Sequence, residues 1–435
     1  MNFNFSPTPS LRSHVKSRRT RLVEDAIIDR LLLPSVSTNV ESHVVNSYGV
    51  ALNRWVGGKR QLLSIYDTFW PADVGSRTFI DPTMGSNAVF FHLASRLQAG
   101  RSSAILADVN PALVNATLIV KYAFDELAVK LEGLVERFNR ACYRDQESGA
   151  FDRVASKAAD SEILEARQVF EAIRDIQRGR ADDFGVFEEP AYGAVKMERT
   201  GSVDEKAVAD AAIFFMLQWT CFNGLWRVNK SGQHNSPFDS TKKGINLHES
   251  ETGNGRLHDL KVCSRALNSL PTDIRLVDDF SQLTATIEGL WKAEKSIVRP
   301  ASGRKGLFVF ADPPYVPVKG AKSDEGEDGK GGKKTAASFT SYAKDDFTVD
   351  DNERLAQWFR HLDWTINGPP GASGLVFKKN ASRAPLLFMT SNASVDAVRR
   401  FYEGYAIGAV QARRSVNRDA SGRGKVEELV IRNYS

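Results

Sequence analysis

The stretch at 306–317, GLFVFADPPYVP, constrains the chain most. Leu307, Phe308, Val309, Phe310 and Ala311 run apolar or small with no polar alternation, as in a strand buried on both faces of a parallel sheet. The strand ends on Asp312-Pro313-Pro314-Tyr315. Asp312 precedes a proline and is held extended; Pro313 and Pro314 remove two N–H donors and keep their carbonyls. A carboxylate, a rigid carbonyl and an aromatic face therefore meet at the carboxyl edge of a sheet, where open α/β folds bind ligands.

Other segments repeat the pattern of a short apolar run closed by an acid. Residues 78–80 run into Asp81-Pro82, a turn at Gly85 and an apolar helix start at 88–93. Residues 103–108, SAILAD, form a second buried strand, and Asn110-Pro111 supplies an N-cap and a first helical position. Asp108 lies where Rossmann-like folds bind ribose hydroxyls, although a loop residue competing for that cap reads the same way. IRLVDDF at 274–280 predicts a strand ending in Asp278 and Asp279, PLLFMTS at 385–391 another buried strand, and VEELVIRN a final one. Residues 112–210 are mostly helical by pattern, and 338–347 opens a further helical stretch. The expected class is α/β, with a Rossmann-like mixed sheet.

The groups at the end of the 307–311 strand suit an amine. An exocyclic amine on a base is a weak nucleophile, because its lone pair is delocalised into the ring. Hydrogen bonds from its two N–H groups to a carboxylate and a carbonyl hold it closer to tetrahedral, while an aromatic ring stacks on the base. A plain Pro-Pro turn bearing a surface tyrosine fits the tetrapeptide equally well. Upstream, Arg54 and Trp55 precede Gly57-Gly58-Lys59; two glycines admit close backbone approach and the lysine can meet a carboxylate or phosphate, though the spacing is not that of a P-loop. Between the strands, CFNGLWRVNKSGQHNSPF at 221–238 interleaves Phe222, Trp226 and Phe238 with Arg227, Lys230 and asparagines. Aromatics that wedge or stack beside amides and an arginine that read base edges make a nucleic-acid hairpin; a decorated surface hairpin is the alternative.

Composition sets wider bounds. A chain of 435 residues, 42% hydrophobic and 26% charged, is an ordinary globular protein with room for a substantial core. A net charge of +5 permits a polyanionic partner without requiring one. Cys142, Cys221 and Cys263 are odd in number and lack zinc spacing, which predicts reduced thiols, an intracellular setting and no metal. No apolar run approaches the roughly 18 residues of a membrane span. Residues 1–22 are basic and acid-free, an arm or a transit peptide; 319–334, KGAKSDEGEDGKGGKK, reads as a flexible loop.

Taken in order, RWVGGK, FIDPTMGSNAVF, LADVNPALVN, FNGLWRVNKSGQHNSPF, VDDF, ADPPY, SFTSYAKDDF, LLFMTSN and ARRSVNR with GKVEEL resemble DNA adenine-N6 methyltransferases of the GATC-methylating, Dam-like alpha-group type. The resemblance covers about residues 52–433 and implies a methyltransferase core with an inserted, mainly helical target-recognition domain. The expected division is a basic extension at 1–50, core at 51–135, recognition domain at 136–262 and core again at 263–435. The implied cofactor is S-adenosylmethionine. Trp55, Lys59, Asp81, Asp108, Asp279, Phe280 and Asp312 would line its pocket, with Lys59 toward the methionine carboxylate, Asp108 toward the ribose and Asp279 with Phe280 beside the adenine ring. Asp312, Pro313, Pro314 and Tyr315 would hold a flipped adenine. Phe222 would insert into the duplex, while Asn223, Leu225, Arg227 and Pro237 would read or pack on bases and Arg54 would face guanine. The implied partner is double-stranded DNA, met by a cytoplasmic, nucleoid-associated monomer.

Several positions depart from that pattern: Arg54 stands where a lysine is common, and the SPFD ending of the hairpin differs slightly. Thr83 replaces an aromatic, Asn87 replaces a second glycine, and Phe222 stands for a tyrosine. They keep two other readings open: a DNA-binding protein with a decayed cofactor pocket, and an amino-methyltransferase of RNA or of another DNA site.

Overall fold

The computed structural model describes residues 50–55, 57–97, 102–155, 164–179, 204–248, 255–296, 306–317, 347–369, 384–413 and 425–435. The basic arm, the 319–334 stretch and all but the last residue of SFTSYAKDDF lie outside these. Seven strands form one sheet: β1 Thr78–Asp81, β2 Ala104–Asp108, β3 Thr272–Leu276, β4 Leu307–Ala311, β5 Leu386–Ala393, β6 Ala406–Arg413 and β7 Lys425–Arg432. Their order is β3-β2-β1-β4-β5-β7-β6. The first five run parallel, and β7 enters antiparallel between β5 and β6. This is the Rossmann order over its first five strands, extended by an antiparallel pair, and the mixed α/β sheet expected from the sequence is the one observed.

The unbroken apolar runs have a simple cause. Successive side chains point to opposite faces, so Phe79, Phe308 and Phe310 join one core cluster while Ile80, Val309 and Ala311 join the other. Helices Ala88–Ala94, Pro111–Tyr122, Glu205–Thr220 and Arg256–Asn268 cover the first face. Thr284–Ser296, Val349–Asn367 and Asp396–Phe401 cover the second. The helix after β1 and the helix after β4 thus lie on opposite faces, although the two strands are neighbours. That divergence opens a crevice at their carboxyl ends.

β3 stops at Leu276, short of the predicted Asp279. Asp279 instead caps a short 3-10 helix, Phe280–Leu283, by accepting a hydrogen bond from the Ser281 N–H at 3.0 Å. Between β2 and β3 come the helices Phe124–Glu147, Glu165–Gln177 and Glu205–Thr220, as the periodicity predicts. Phe124–Glu147 runs through the expected 135/136 division, and these helices share their apolar cluster with the sheet. The three cysteines are buried and unpaired. Among the described residues no helix is long and apolar enough to cross a membrane.

Candidate active site and recognition hairpin

The acids that close β1, β2 and β4 gather at the switch point between β1 and β4. Asp81 is 2% exposed and accepts hydrogen bonds from Thr83, its N–H at 2.9 Å and its hydroxyl at 3.3 Å. Asp108 is also buried; its carboxylate accepts the Gly85 N–H at 3.0 Å and the Asn110 N–H at 2.9 Å, clasping the loop after β1 to the end of β2. Burial pushes the Asp108 carboxyl up to about 6 against the pull of those backbone donors. Burial likewise raises Asp81 well above the usual carboxylate range, opposed by the Thr83 N–H and reinforced by the charges of Asp312 and Asp108.

Gly85 has φ +47°, and a Cβ there would meet the Trp55 indole at 3.2 Å. Asn87, where a second glycine was expected, takes the left-handed conformation itself with φ 58°, which asparagine tolerates better than most residues. The amide oxygens of Asn53 and Asn87 are buried with no hydrogen-bond partner among the described residues. The Leu52 N–H, next to Asn53, bonds the Ser86 carbonyl, so both asparagines flank this one loop.

Asp312 is the centre of the arrangement. Its Oδ1 lies 2.8 Å from Lys59 Nζ and accepts the Ser391 hydroxyl at 2.7 Å. Lys59 is 4% exposed, donates to the Gly57 carbonyl at 2.7 Å, lies 3.9 Å from Glu428 Oε2, and sits 4.8 Å from the Tyr315 ring centroid. The Tyr315 hydroxyl donates to the same Glu428 oxygen at 2.8 Å. Burial raises the Tyr315 phenol, with the carboxylates of Asp312 and Glu428 adding to it. Asn352 donates to the Pro314 carbonyl at 3.2 Å, whereas among the described residues nothing donates to the Pro313 carbonyl. Asp279 and Phe280 lie beyond β3; Asp279 pairs with Arg354 at 2.9 Å, and Phe280 packs between Trp358 and the Arg354 guanidinium.

The 221–238 segment is a hairpin closed by bridges between Cys221 and Phe238 and between Val228 and His234. Phe222 is 53% exposed at its start, and its N–H bonds the Pro237 carbonyl at 2.8 Å. Asn223 and Gly224 both take positive φ, 58° and 65°, which turns the chain sharply after Phe222 and leaves its ring outside. Arg54 is drawn to this corner: a Cβ at Gly224 would lie 3.5 Å from Arg54 Cδ, and Gln218 donates to the Arg54 carbonyl at 3.4 Å. Arg227 is half-buried and Pro237 exposed, while the Leu225 side chain is buried.

The structure thus brings Trp55, Lys59, Asp81, Asp108, Asp312 and Tyr315 to one crevice and Arg54 to the hairpin. Sequence reasoning missed Ser391 and Glu428. Ser391 follows Thr390, the β5 residue in register with Ala311, so pairing β5 beside β4 would have found it. Glu428 lies on antiparallel β7 opposite Ala393, a register no local pattern reveals.

Residues 55–269 match the model of the D12 class N6 adenine-specific DNA methyltransferases. The match spans Trp55 and Lys59, the acids that close β1 and β2, and the 221–238 hairpin. The chain is 26% identical over 388 residues to the Type II methyltransferase M.MjaIII of Methanocaldococcus jannaschii, covering 88% of this chain and 98% of the relative. It is 24% identical to the Type II methyltransferase M1.LlaDCHI of Lactococcus lactis subsp. cremoris, over 88% of this chain and 94% of the relative. A DNA adenine methylase of Vibrio cholerae is 24% identical over 87% of this chain and 94% of its own length.

Proposed function

We propose that this protein transfers a methyl group from S-adenosylmethionine to N6 of an adenine in duplex DNA, with GATC as its site. One observation carries the reading: the Lys59 ammonium bonds Asp312 at 2.8 Å while lying over the Tyr315 ring, which is the pair of contacts that an amine on a stacked base requires.

The crevice suits the cofactor. Asp312 lies 2.8 Å and Glu428 3.9 Å from Lys59, and with the buried carboxyls of Asp81 and Asp108 they would offer acceptors to the ammonium and hydroxyl groups of a cofactor. The unpartnered amide oxygens of Asn53 and Asn87 offer acceptors beside the β1 loop. Trp55, Asp81, Asp108, Asp279 and Phe280 would hold the cofactor, which when bound supplies an activated methyl on a sulfonium.

The protein's own part is positioning. Adenine N6 is locked in pairing, so the base must leave the stack, at a cost of a few kcal/mol. Phe222, exposed at the hairpin corner, fills the gap that the base leaves. Lys59 yields Asp312 to the incoming amine; the Pro313 carbonyl takes the second N–H and the Tyr315 ring stacks. Asp312 is the nearest base for the proton that N6 loses. Arg227 and Arg54 read guanine, each bidentate contact being worth about 1–3 kcal/mol of discrimination.

Expression in a host without DNA methylation, followed by genome-wide mapping, tests this. N6-methyladenine in GATC, abolished by Asp312→Ala, is expected. An unmodified genome despite folded protein refutes the activity, and a different motif refutes only the site.

A further inference from the structure

Asp312 must be held to within a fraction of an ångström, because catalysis by positioning loses about two orders of magnitude for a 1 Å misplacement. Its carboxylate is set by Lys59 and Ser391. Its backbone is set by something less expected. The β1–β4 ladder pairs Thr78 with Leu307, Phe79 with Phe308 and Ile80 with Val309, and β4 ends at Ala311. Pro82, next along from β1, has no N–H and breaks the ladder's pattern. The Asp312 N–H instead donates to the Thr83 hydroxyl at 2.8 Å.

That hydroxyl also lies 3.3 Å from Asp81 Oδ1. A hydroxyl has one proton, and here its lone pair receives the Asp312 N–H, so the proton is directed to Asp81. A chain of hydrogen bonds therefore runs from the Asp312 backbone through Thr83 to the buried acid of the loop after β1. It crosses the switch point between residues 229 apart in sequence. The Thr83 N–H closes on the same Asp81 oxygen at 2.9 Å, which fixes the loop that presents the hydroxyl, and its β-branched side chain has little χ1 freedom.

We propose that Thr83 is a positioning residue, its hydroxyl tying the cofactor loop after β1 to the backbone of the amine-holding aspartate. The inference rests on the methyltransferase reading above. It also gives Thr83 a role of its own: an aromatic side chain at this position has no acceptor for the Asp312 N–H. Beyond the end of the β1–β4 ladder, that one side-chain oxygen links the loop after β1 to the Asp312 backbone.

The test compares Thr83→Val, which keeps the shape and removes the hydroxyl, with Thr83→Ser, which keeps the hydroxyl. On losing one hydrogen bond, Thr83→Val should lower kcat by about tenfold with both KM values nearly unchanged, and Thr83→Ser should recover most of it. Hydrogen exchange is the independent readout. Pro313 and Pro314 carry no amide, so the Asp312 amide stands apart from the Tyr315 amide, and it should exchange faster in Thr83→Val than in wild type or Thr83→Ser. Unchanged kcat in Thr83→Val, or a loss confined to the cofactor KM, overturns the inference. So does unaltered exchange at Asp312, which decides the matter even if the wild-type protein methylates nothing and only the functional reading has failed.

Discussion

His234 gives the 221–238 hairpin a pH limit. It is fully buried, with its ring 5.0 Å from that of Trp226 and 6.3 Å from that of Phe170, and neither ring nitrogen has a hydrogen-bond partner among the described residues. Burial, and then the nearby charges of Arg174, Arg178 and Arg227, push its pKa down to about 3. The folded value lies below the unfolded one, so the stability His234 permits is complete above about pH 6.5 and is lost as pH falls toward 3. Between pH 7.5 and pH 5 the unfolded imidazole takes up its proton and the folded one does not, a loss of about 2 kcal/mol. The hairpin should feel it first. The His234 N–H bonds Gln177 Oε1 at 2.8 Å, and its carbonyl accepts the Arg178 guanidinium at 2.7 Å, fastening the hairpin to the end of helix Glu165–Gln177. Urea unfolding of wild type and His234→Leu at the two pH values should show that loss in wild type alone. Carbon-13 NMR should keep the His234 ring at its neutral shift down to pH 5. A resonance titrating near 6.5, or the same pH dependence in both proteins, refutes the reasoning.

Two further outcomes follow from the geometry. Tyr315→Phe keeps the stacking face and loses the bond to Glu428, so kcat/KM should fall by about tenfold, whereas Tyr315→Ala also loses stacking worth about 1–3 kcal/mol and should fall by a hundredfold or more; equal losses in steady-state assays would assign the ring no role. Asp210, in helix Glu205–Thr220, has its pKa raised to about 6 by burial, the neighbouring Lys206 opposing and Asp204 adding. Its folded form gives up the proton less readily than its unfolded form, so stability falls as pH rises from about 4 to 6 and stays lower above that. Asp210→Asn should stabilise the fold by about 1–2 kcal/mol at pH 7.5 and by little at pH 4, read by thermal unfolding.

The fold was legible wherever burial on both faces left an unbroken apolar run. β1, β2, β4 and β5 are such strands, fully buried, and all four were found. β3 is an edge strand, buried only at Thr272 and exposed at Leu276, so its end could not be placed by hydrophobicity; a capping bond at Asp279 decided it. Asn87 shows the reverse case. It departs from the glycine pattern in sequence and yet adopts the backbone a glycine would, because a short amide side chain makes the left-handed region tolerable.

The site was legible in part for a related reason. Each acid that ends a parallel strand declares itself locally, because a carboxylate closing an apolar run stands out in the sequence at the edge where open α/β sheets bind ligands. What those acids touch is set by strand order, which no single segment encodes. Lys59 illustrates the gap. The glycines before it indicate that it can approach a ligand, and a carboxylate partner fits its chemistry, but nothing in 52–63 says that the carboxylate in this structure belongs to Asp312, more than 250 residues on. Glu428 reaches the same ammonium and the Tyr315 hydroxyl only because β7 runs antiparallel beside β5. A lysine and a tyrosine held together by two carboxylates from different strands form a contact set that exists only after the sheet is assembled. The contact set around Asp312 is therefore a property of the topology, and a variant that shifts β7 by one residue would turn Glu428 to the other face, leaving the Tyr315 hydroxyl without this acceptor while Lys59 keeps Asp312 and the Gly57 carbonyl.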